Sequence, residues 1–312
     1  MTHPTVSVVI PVYNEGQTLY EFHNRITQVM KSLNTPYELV FVNDGSRDDS
    51  REILSALAEK DPAIKLINFS RNFGHQIAIT AGMDYSSGDA VVVIDADLQD
   101  PPELIIDMLA KWREGYEVVY ARRIKRKGET WFKKATAKAF YRVLNKMSSV
   151  PIPMDVGDFR LVDRSVVNAL KEVRESNRFV RGLVSWVGFK QTAVDYVREP
   201  RFAGETKYPL HKMLAFAINA IISFSYKPLR AATYLGFFSV LAGLLYLGTI
   251  VFQKLFTDTL VAGWASLMAV NILYNGIILI ILGIVGEYIG RIFTECKQRP
   301  LYIVDSTVGW EN

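Results

Sequence analysis

The chain has 312 residues, is 49% apolar and carries a formal charge of +4, with a single cysteine, Cys296. That length accommodates about two domains. One cysteine excludes an intrachain disulfide and fits a reducing compartment, and residues 2–12, interrupted by Pro4 and Pro11, are too short to serve as a signal peptide.

The first part of the chain alternates two patterns. Short β-branched runs at 6–12, 39–43, 64–69, 90–94 and 117–120 read as buried strands. Segments with apolar residues three or four apart, at 18–33, 48–59, 76–85 and 103–113, read as helices. This order predicts an α/β fold with a mostly parallel sheet covered on both faces. Ligands of such folds bind at the carboxyl ends of the strands, which singles out residues 13–15, 43–46, 70–75 and 95–99. The first strand leads into Pro11-Val12-Tyr13-Asn14-Glu15 and not into Gly-x-Gly-x-x-Gly, which argues against a dinucleotide-binding domain. There is no internal repeat and no low-complexity tract.

The fourth run ends in Asp95-Ala96-Asp97. Residues i and i+2 of a strand point the same way, so the two carboxylates are expected side by side. There they repel unless a cation lies between them or one holds a proton. Such oxygen ligands suit Mg2+ or Mn2+, which also take phosphate oxygens from a substrate. Gln99 can add an amide group to the same site. The competing reading is a solvated strand end that caps the helix near Pro101-Pro102-Glu103. In Asn43-Asp44-Gly45-Ser46, Asp44 suits a base or ribose, whereas Ser46 and Asp48 equally suit a turn and helix cap. Arg71 suits a phosphate contact and a structural ion pair equally.

Taken together, these segments resemble the family 2 inverting glycosyltransferases, whose catalytic domain is a GT-A type nucleotide-sugar-binding domain. The matching stretches are Val9-Ile10-Pro11-Val12-Tyr13-Asn14-Glu15, Val42-Asn43-Asp44-Gly45-Ser46 and Asp95-Ala96-Asp97-Leu98-Gln99-Asp100-Pro101-Pro102-Glu103. The chain is similar to the polyprenyl-phosphate subgroup (undecaprenyl- and dolichyl-phosphate glycosyltransferases) in Asn72-Phe73-Gly74, Asp155-Val156-Gly157-Asp158-Phe159-Arg160-Leu161, Arg178-Phe179-Val180-Arg181-Gly182 and Arg201-Phe202-Ala203-Gly204-Glu205-Thr206-Lys207-Tyr208. The resemblance implies a UDP-sugar donor at Pro11, Tyr13, Glu15 and Asp44, with Arg71 and Asp95 on the same side. It implies metal at Asp95 and Asp97, with Gln99 beside them, and an acceptor side formed by Asp158 and basic residues. It further implies inverting transfer of one hexose to undecaprenyl phosphate, with glucose preferred over mannose or an aminoarabinose-type sugar. A glycolipid acceptor is the alternative. Thr206 stands where a serine is more usual. The Gln-x-x-Arg-Trp signature of processive polysaccharide synthases is absent.

A polyprenyl phosphate calls for cations near the membrane surface. Arg122-Arg123-Ile124-Lys125-Arg126-Lys127 follows the fifth run, and Trp131, Phe132, Lys133 and Lys134 come next. Basic and aromatic residues together suit anionic lipid rather than nucleic acid in a chain with membrane spans. Arg122 and Arg126 are the candidates for the acceptor phosphate, and Arg201 and Lys207 for closure on the phosphates about a hinge at Gly204. Asp158 is the candidate catalytic base. A phosphate acceptor is already largely ionised at neutral pH, so a positioning role for Asp158 stays open.

Charges run throughout residues 1–230, then vanish over 231–253 and again over 259–286. Both runs reach the roughly 20 apolar residues that a bilayer crossing needs. The expected organisation is a catalytic domain at 1–206, an amphipathic interface helix at 207–228, a transmembrane hairpin at 229–290 and a tail at 291–312. Lys227 and Arg230 precede the first span, and Arg291, Lys297 and Arg299 follow the second. The positive-inside rule then places the catalytic domain and both termini in the cytoplasm, at an inner (plasma) membrane. Small residues in the spans, such as Gly236, Gly243 and Gly283, are compatible with a homo-oligomer such as a tetramer and equally with packing inside one chain.

Overall fold

The structure, a computed structural model, describes residues 5–125, 156–197, 227–256 and 263–310. It divides into two units, Met1–Ala217 with Arg299–Asn312, and Ile218–Gln298. Arg126, Arg201, Lys207 and residues 207–226 of the expected interface helix lie outside the described residues.

The first unit follows the order β1 (Val6–Val12), α1 (Leu19–Ser32), β2 (Tyr37–Asn43), α2 (Ser50–Lys60), β3 (Ile64–Phe69), α3 (His75–Tyr85), β4 (Ala90–Val93), α4 (Leu104–Arg113), β5 (Val118–Lys125), β6 (Val156–Asp163), α5 (Arg164–Glu172), α6 (Val180–Trp186), β7 (Gln191–Val197) and β8 (Val304–Val308). One eight-stranded sheet runs β7-β5-β6-β4-β1-β2-β3-β8. The strands β3, β2, β1 and β4 are parallel. Strand β6 runs antiparallel between β4 and β5, β5 and β7 are parallel, and β8 is antiparallel to β3.

Every residue of β1 is buried because both faces of the sheet are covered. Val6, Val8, Ile10 and Val12 share one core with Phe22, Ile26 and Met30 of α1 and Leu54 of α2. Val9 points the other way, against α3. A strand covered on both faces reads as a continuous apolar run, which is why these strands were visible in the sequence.

The described structure departs from the expected elements in two places. Strand β5 extends through Arg122 and Arg123 to Lys125, so these arginines belong to the strand and do not follow it. Cross-strand pairing explains the extension. Arg122 donates to both carboxylate oxygens of Asp195 on β7 at 2.6 and 2.9 Å, and Arg123 Nε donates to the Tyr196 hydroxyl at 2.8 Å. The last 22 residues are also not a single tail. The second long helix reaches Cys296, and β8 then closes the sheet. Tyr302 stacks on Phe69 at 5.3 Å, Arg51 pairs with Asp305 at 2.7 Å, and Ser70 N donates to Ile303 O at 3.1 Å.

The second unit holds α7 (Lys227–Phe256) and α8 (Trp264–Cys296). Each contains a 27-residue candidate membrane span, with Ala232 of the first the only buried residue in either, and such a helix is about 40 Å long. Exposed Phe237, Leu244, Leu273 and Leu279 give apolar side chains to the outside, as in a helix whose surroundings are lipid. The two helices touch where the Tyr274 hydroxyl donates to Ser239 O.

At the end of the sheet opposite the loops expected to bind ligand, Glu38 is buried. It accepts from Ser87 N at 2.7 Å and from Ser7 Oγ, and pairs with Lys65 Nζ at 2.7 Å. Burial is the strongest single influence and raises the carboxyl pKa, but Lys65, Ser7 and Ser87 outweigh it and hold the group below its usual range. A depressed folded pKa stabilises the fold above the unfolded value near pH 4 and ceases to do so as pH falls through the folded one. Glu38→Gln should therefore cost about 3 kcal/mol at neutral pH. The gap between its urea midpoint and that of the wild type, in detergent, should narrow toward pH 3; a gap independent of pH would refute this role.

Candidate active site

The carboxyl ends of β1, β2 and β3 feed three loops that hold one another. Asn14 N and Glu15 N donate to Ser46 Oγ and Ser50 Oγ, both at 3.1 Å, and Arg47 N donates back to Asn14 Oδ1 at 2.8 Å. Asp44 accepts from Phe73 N at 2.6 Å and Gly74 N at 3.0 Å. Burial, the leading influence, raises its carboxyl pKa against those amide bonds. Gly45 has φ +64°, and a Cβ there would lie 2.6 Å from Asn72 N, so glycine alone lets the second loop rest on the third. Arg71 stacks on Phe73 at 3.9 Å and donates to Asn72 O at 2.9 Å; its guanidinium braces its own loop. Pro11 is buried in β1, and Tyr13 is 37% exposed at the mouth.

Strand β4 stops at Val93, so Asp95 and Asp97 lie in the turn beyond it. Strand alternation therefore does not govern them, yet beyond the effect of burial the charge of Asp97 still reaches Asp95 and helps to raise its carboxyl pKa. Asp97 Oδ1 accepts from Gln99 N at 3.1 Å, and Gln99 is buried. Leu98 between them adopts φ +59°, a strained conformation for a bulky residue, while its side chain is anchored in the core.

Asp95 also faces His75. His75 Nε2, at the start of α3, lies 3.5 Å from Asp95 Oδ1 and 3.3 Å from Asp158 Oδ2. Asp158, on β6, accepts from Arg181 Nε and Nη2 of α6 at 2.8 and 3.0 Å and from Gln76 Nε2 at 3.3 Å. Gln76 Oε1 accepts Val180 N at 2.9 Å, which ties α3 to the start of α6. Buried Arg160 lies 3.8 Å from Asp158 Oδ1 and donates to Gly157 O at 2.9 Å.

The charges in this cluster shift one another. Burial pushes hardest on Asp158, upward, yet Arg181 and His75 hold its carboxyl well below the usual range. Burial, followed by Asp158, Asp97 and Asp100, raises Asp95 to about 6 against the opposing pull of His75. Burial lowers the His75 imidazole, but Asp95 and Asp158 together raise it to about 9. Burial, the largest effect, lowers Arg160 to about 10.

A second buried group supports the turn. The Tyr196 hydroxyl donates to Asp100 Oδ1, and Arg123 Nη2 lies 3.6 Å from Asp100 Oδ2. A Cβ on Gly157 would stand 2.6 Å from Arg123 Nη2. Glycine next to Asp158 therefore leaves room for the arginine that anchors the turn of Asp95 and Asp97.

Of the sequence-derived residues, the fold brings Asp95 and Asp158 to one imidazole and packs Asp44 on the loop that carries it. Arg122 is paired with Asp195 on the exposed side of β5 and β7. Arg126, Arg201 and Lys207 lie outside the described residues. Sequence reasoning singled out the loop at 70–75 and the motifs that hold Asp100 and Arg181, but gave His75, Gln76, Arg181 and Asp100 no role in the site. His75 and Gln76 open α3, directly after the loop that follows the third strand, and Arg181 lies in a segment with no charged neighbour close in sequence on its C-terminal side. The signal that finds them is the meeting of β6 and α6 with α3, which only the fold supplies.

Comparison with known proteins gives this geometry its context. Residues 7–171 match the family described as Glycosyl transferase family 2, and residues 227–292 match the GtrB C-terminal hairpin. The uncharacterized glycosyltransferase YkcC of Bacillus subtilis is 59% identical over 99% of this chain and 96% of its own. The bactoprenol glucosyl transferase of Shigella phage SfV is 41% identical over 96% of this chain and 97% of its own. Among solved structures, glucosyl-3-phosphoglycerate synthase from Mycobacterium tuberculosis is 20% identical with a TM-score of 0.45, over 70% of this chain and 77% of that one. On the family match and these full-length relatives, the chain belongs to the family 2 glycosyltransferases and carries a GtrB-type hairpin at its C-terminal side.

Proposed function

We propose that the protein transfers one glucose, with inversion, from UDP-glucose to a polyprenyl phosphate such as undecaprenyl phosphate at the cytoplasmic face of a membrane. The observation that carries this reading is the extent of the likeness to a bactoprenol glucosyl transferase, which spans 96% of this chain and so takes in both the catalytic domain and the hairpin.

The electrostatics of the site agree with an acceptor that arrives ionised. A general base works best with a pKa near the operating pH, whereas Asp158 is held ionised by Arg181 and His75 and accepts from both. A phosphate monoester is already largely ionised at neutral pH. One of its oxygens attacks the anomeric carbon, the bond from that carbon to the diphosphate breaks, and UDP leaves with the electron pair. Asp158 then acts by fixing Arg181 and His75, and no proton has to reach it. On the donor side the reading uses Pro11, Tyr13, Glu15, Asp44, Arg71 and Asp95. On the acceptor side it uses Arg122, released from Asp195, with Arg126, Arg201 and Lys207.

A divalent cation, Mg2+ or Mn2+, fits beside this cluster. Asp95 Oδ1 is buried and has no hydrogen-bond partner, and Asp97 and Gln99 follow it in the same turn. Among the described residues no three His, Cys, Asp or Glu side chains are arranged to hold a metal ion, so phosphate oxygens and water would complete its shell. When bound, such a cation offsets the charge that develops on the departing diphosphate.

Strand β8 follows both candidate spans yet lies in the same sheet as β1–β7. That supports an even number of crossings, with both ends of the hairpin on one face of the membrane. The basic residues that flank the hairpin support the cytoplasmic face.

Two measurements test this reading. Radiolabelled UDP-glucose and undecaprenyl phosphate in detergent should give an organic-soluble product that a chelator abolishes and Asp97→Ala reduces at least about 100-fold; label left entirely in the aqueous phase would exclude this donor–acceptor pair. Because the folded Asp158 stays ionised well below neutral pH, Asp158→Asn should lose about 100-fold in kcat, and by the same factor from about pH 6 to 9. A loss that shrinks as pH rises would restore Asp158 as a base.

A further inference from the structure

His75 occupies an unusual position. It is the first residue of α3, after Gly74 at φ +104°, and the first turn of that helix holds no acidic residue. A helix N-terminus bears partial positive charge and favours anions, so the local backbone gives no reason for a basic side chain there. The reason lies across the site. Nε2 faces Asp158 Oδ2 at 3.3 Å and Asp95 Oδ1 at 3.5 Å.

One ring nitrogen carries at most one hydrogen, and here two carboxylate oxygens compete for it. Only the contact with Asp158 has hydrogen-bond geometry. Asp95 Oδ1 stays buried without a donor, although a buried unpaired oxygen is costly. Asp158, by contrast, also takes Arg181 and Gln76. The imidazole thus stands between one carboxylate that is fully engaged and one with an open lone pair.

We propose that His75 is a positioning residue that divides the two carboxylates, giving its single Nε2 hydrogen to Asp158 and leaving Asp95 Oδ1 open to a divalent cation. This rests on the metal part of the function proposed above. A single-donor side chain is what the division requires. Lysine in the same place would bring three hydrogens and a compact charge, satisfy both carboxylates and close Asp95. Alanine would leave Asp95 open and withdraw one donor from Asp158.

The test is Mn2+ binding to the detergent-solubilised full-length protein, followed by electron paramagnetic resonance without donor or acceptor, together with steady-state kinetics. His75→Lys should weaken Mn2+ binding at least about tenfold. His75→Ala should bind Mn2+ at least as tightly as wild type, while kcat falls about tenfold and the KM for UDP-glucose stays within about twofold. His75→Asn, shorter than histidine, replaces the alanine variant if that one does not fold. Alanine or asparagine weakening Mn2+ binding, or lysine leaving it unchanged, overturns the role of His75 alone. Wild type that binds no Mn2+ overturns the metal reading and this inference with it.

Discussion

A carboxylate removed from water must be matched by donors, or it takes up a proton. Asp158 is such a group, and the candidate site is arranged around the way it is matched. Its partners come from separate elements, Arg181 from α6 and His75 and Gln76 from the start of α3, while Asp158 itself is fixed in β6. Removing one partner from a buried ion pair costs about 3–5 kcal/mol, a large share of the 5–15 kcal/mol that holds a typical domain together. A seven-residue helix such as α6 has little propensity of its own to persist. Its place is set by burial of Val180, Leu183 and Val184 together with the Arg181 pair and the bond from Val180 N to Gln76. The charge on Asp158 therefore helps to fix where a whole element docks.

The same arrangement gives different environments to two carboxylates that meet at one imidazole nitrogen. Asp158 is driven well below the usual range by cations that contact it directly, while Asp95 is raised to about 6 by burial and neighbouring acids. Environments that push paired acids apart assign them different tasks. The saturated one serves as an anchor, and the one with an open oxygen suits a cation. Leu98 supplies the backbone part of this division. Its left-handed turn sends Asp97 toward Gln99 and leaves Asp95 to face the histidine.

Much of the catalytic fold was legible because strands covered on both faces advertise themselves. Runs such as 6–12 and 64–69 appear as strands with the expected bounds, and the loops at their carboxyl ends do converge. The two long apolar runs likewise became α7 and α8. What the sequence hid has physical causes. Arg122 and Arg123 look like a basic loop because strand patterning is read from apolar residues, yet Asp195 and Tyr196 on a distant strand pair with them. Asp95 and Asp97 lie beyond the end of β4, so the strand alternation on which their expected side-by-side placement rested does not apply to them. Strand β8 reads as a polar terminus (Val304-Asp305-Ser306-Thr307-Val308) because an edge strand exposes alternate residues. His75 and Arg181 were visible only as members of their segments, since nothing local says that they share a carboxylate.

The position of β8 in the chain also bears on how the protein is made. Strand β3 leaves the ribosome early, but its antiparallel partner is encoded after both long helices. At typical elongation rates the interval is about 10–50 s. Throughout that time the outer side of β3 is an open edge whose N–H and C=O groups can recruit a strand from another nascent chain. Both helices must be synthesised before β8 can cover that edge. Completion of the catalytic domain thereby becomes a late event, and a chain stalled within either long helix would still expose the edge of β3.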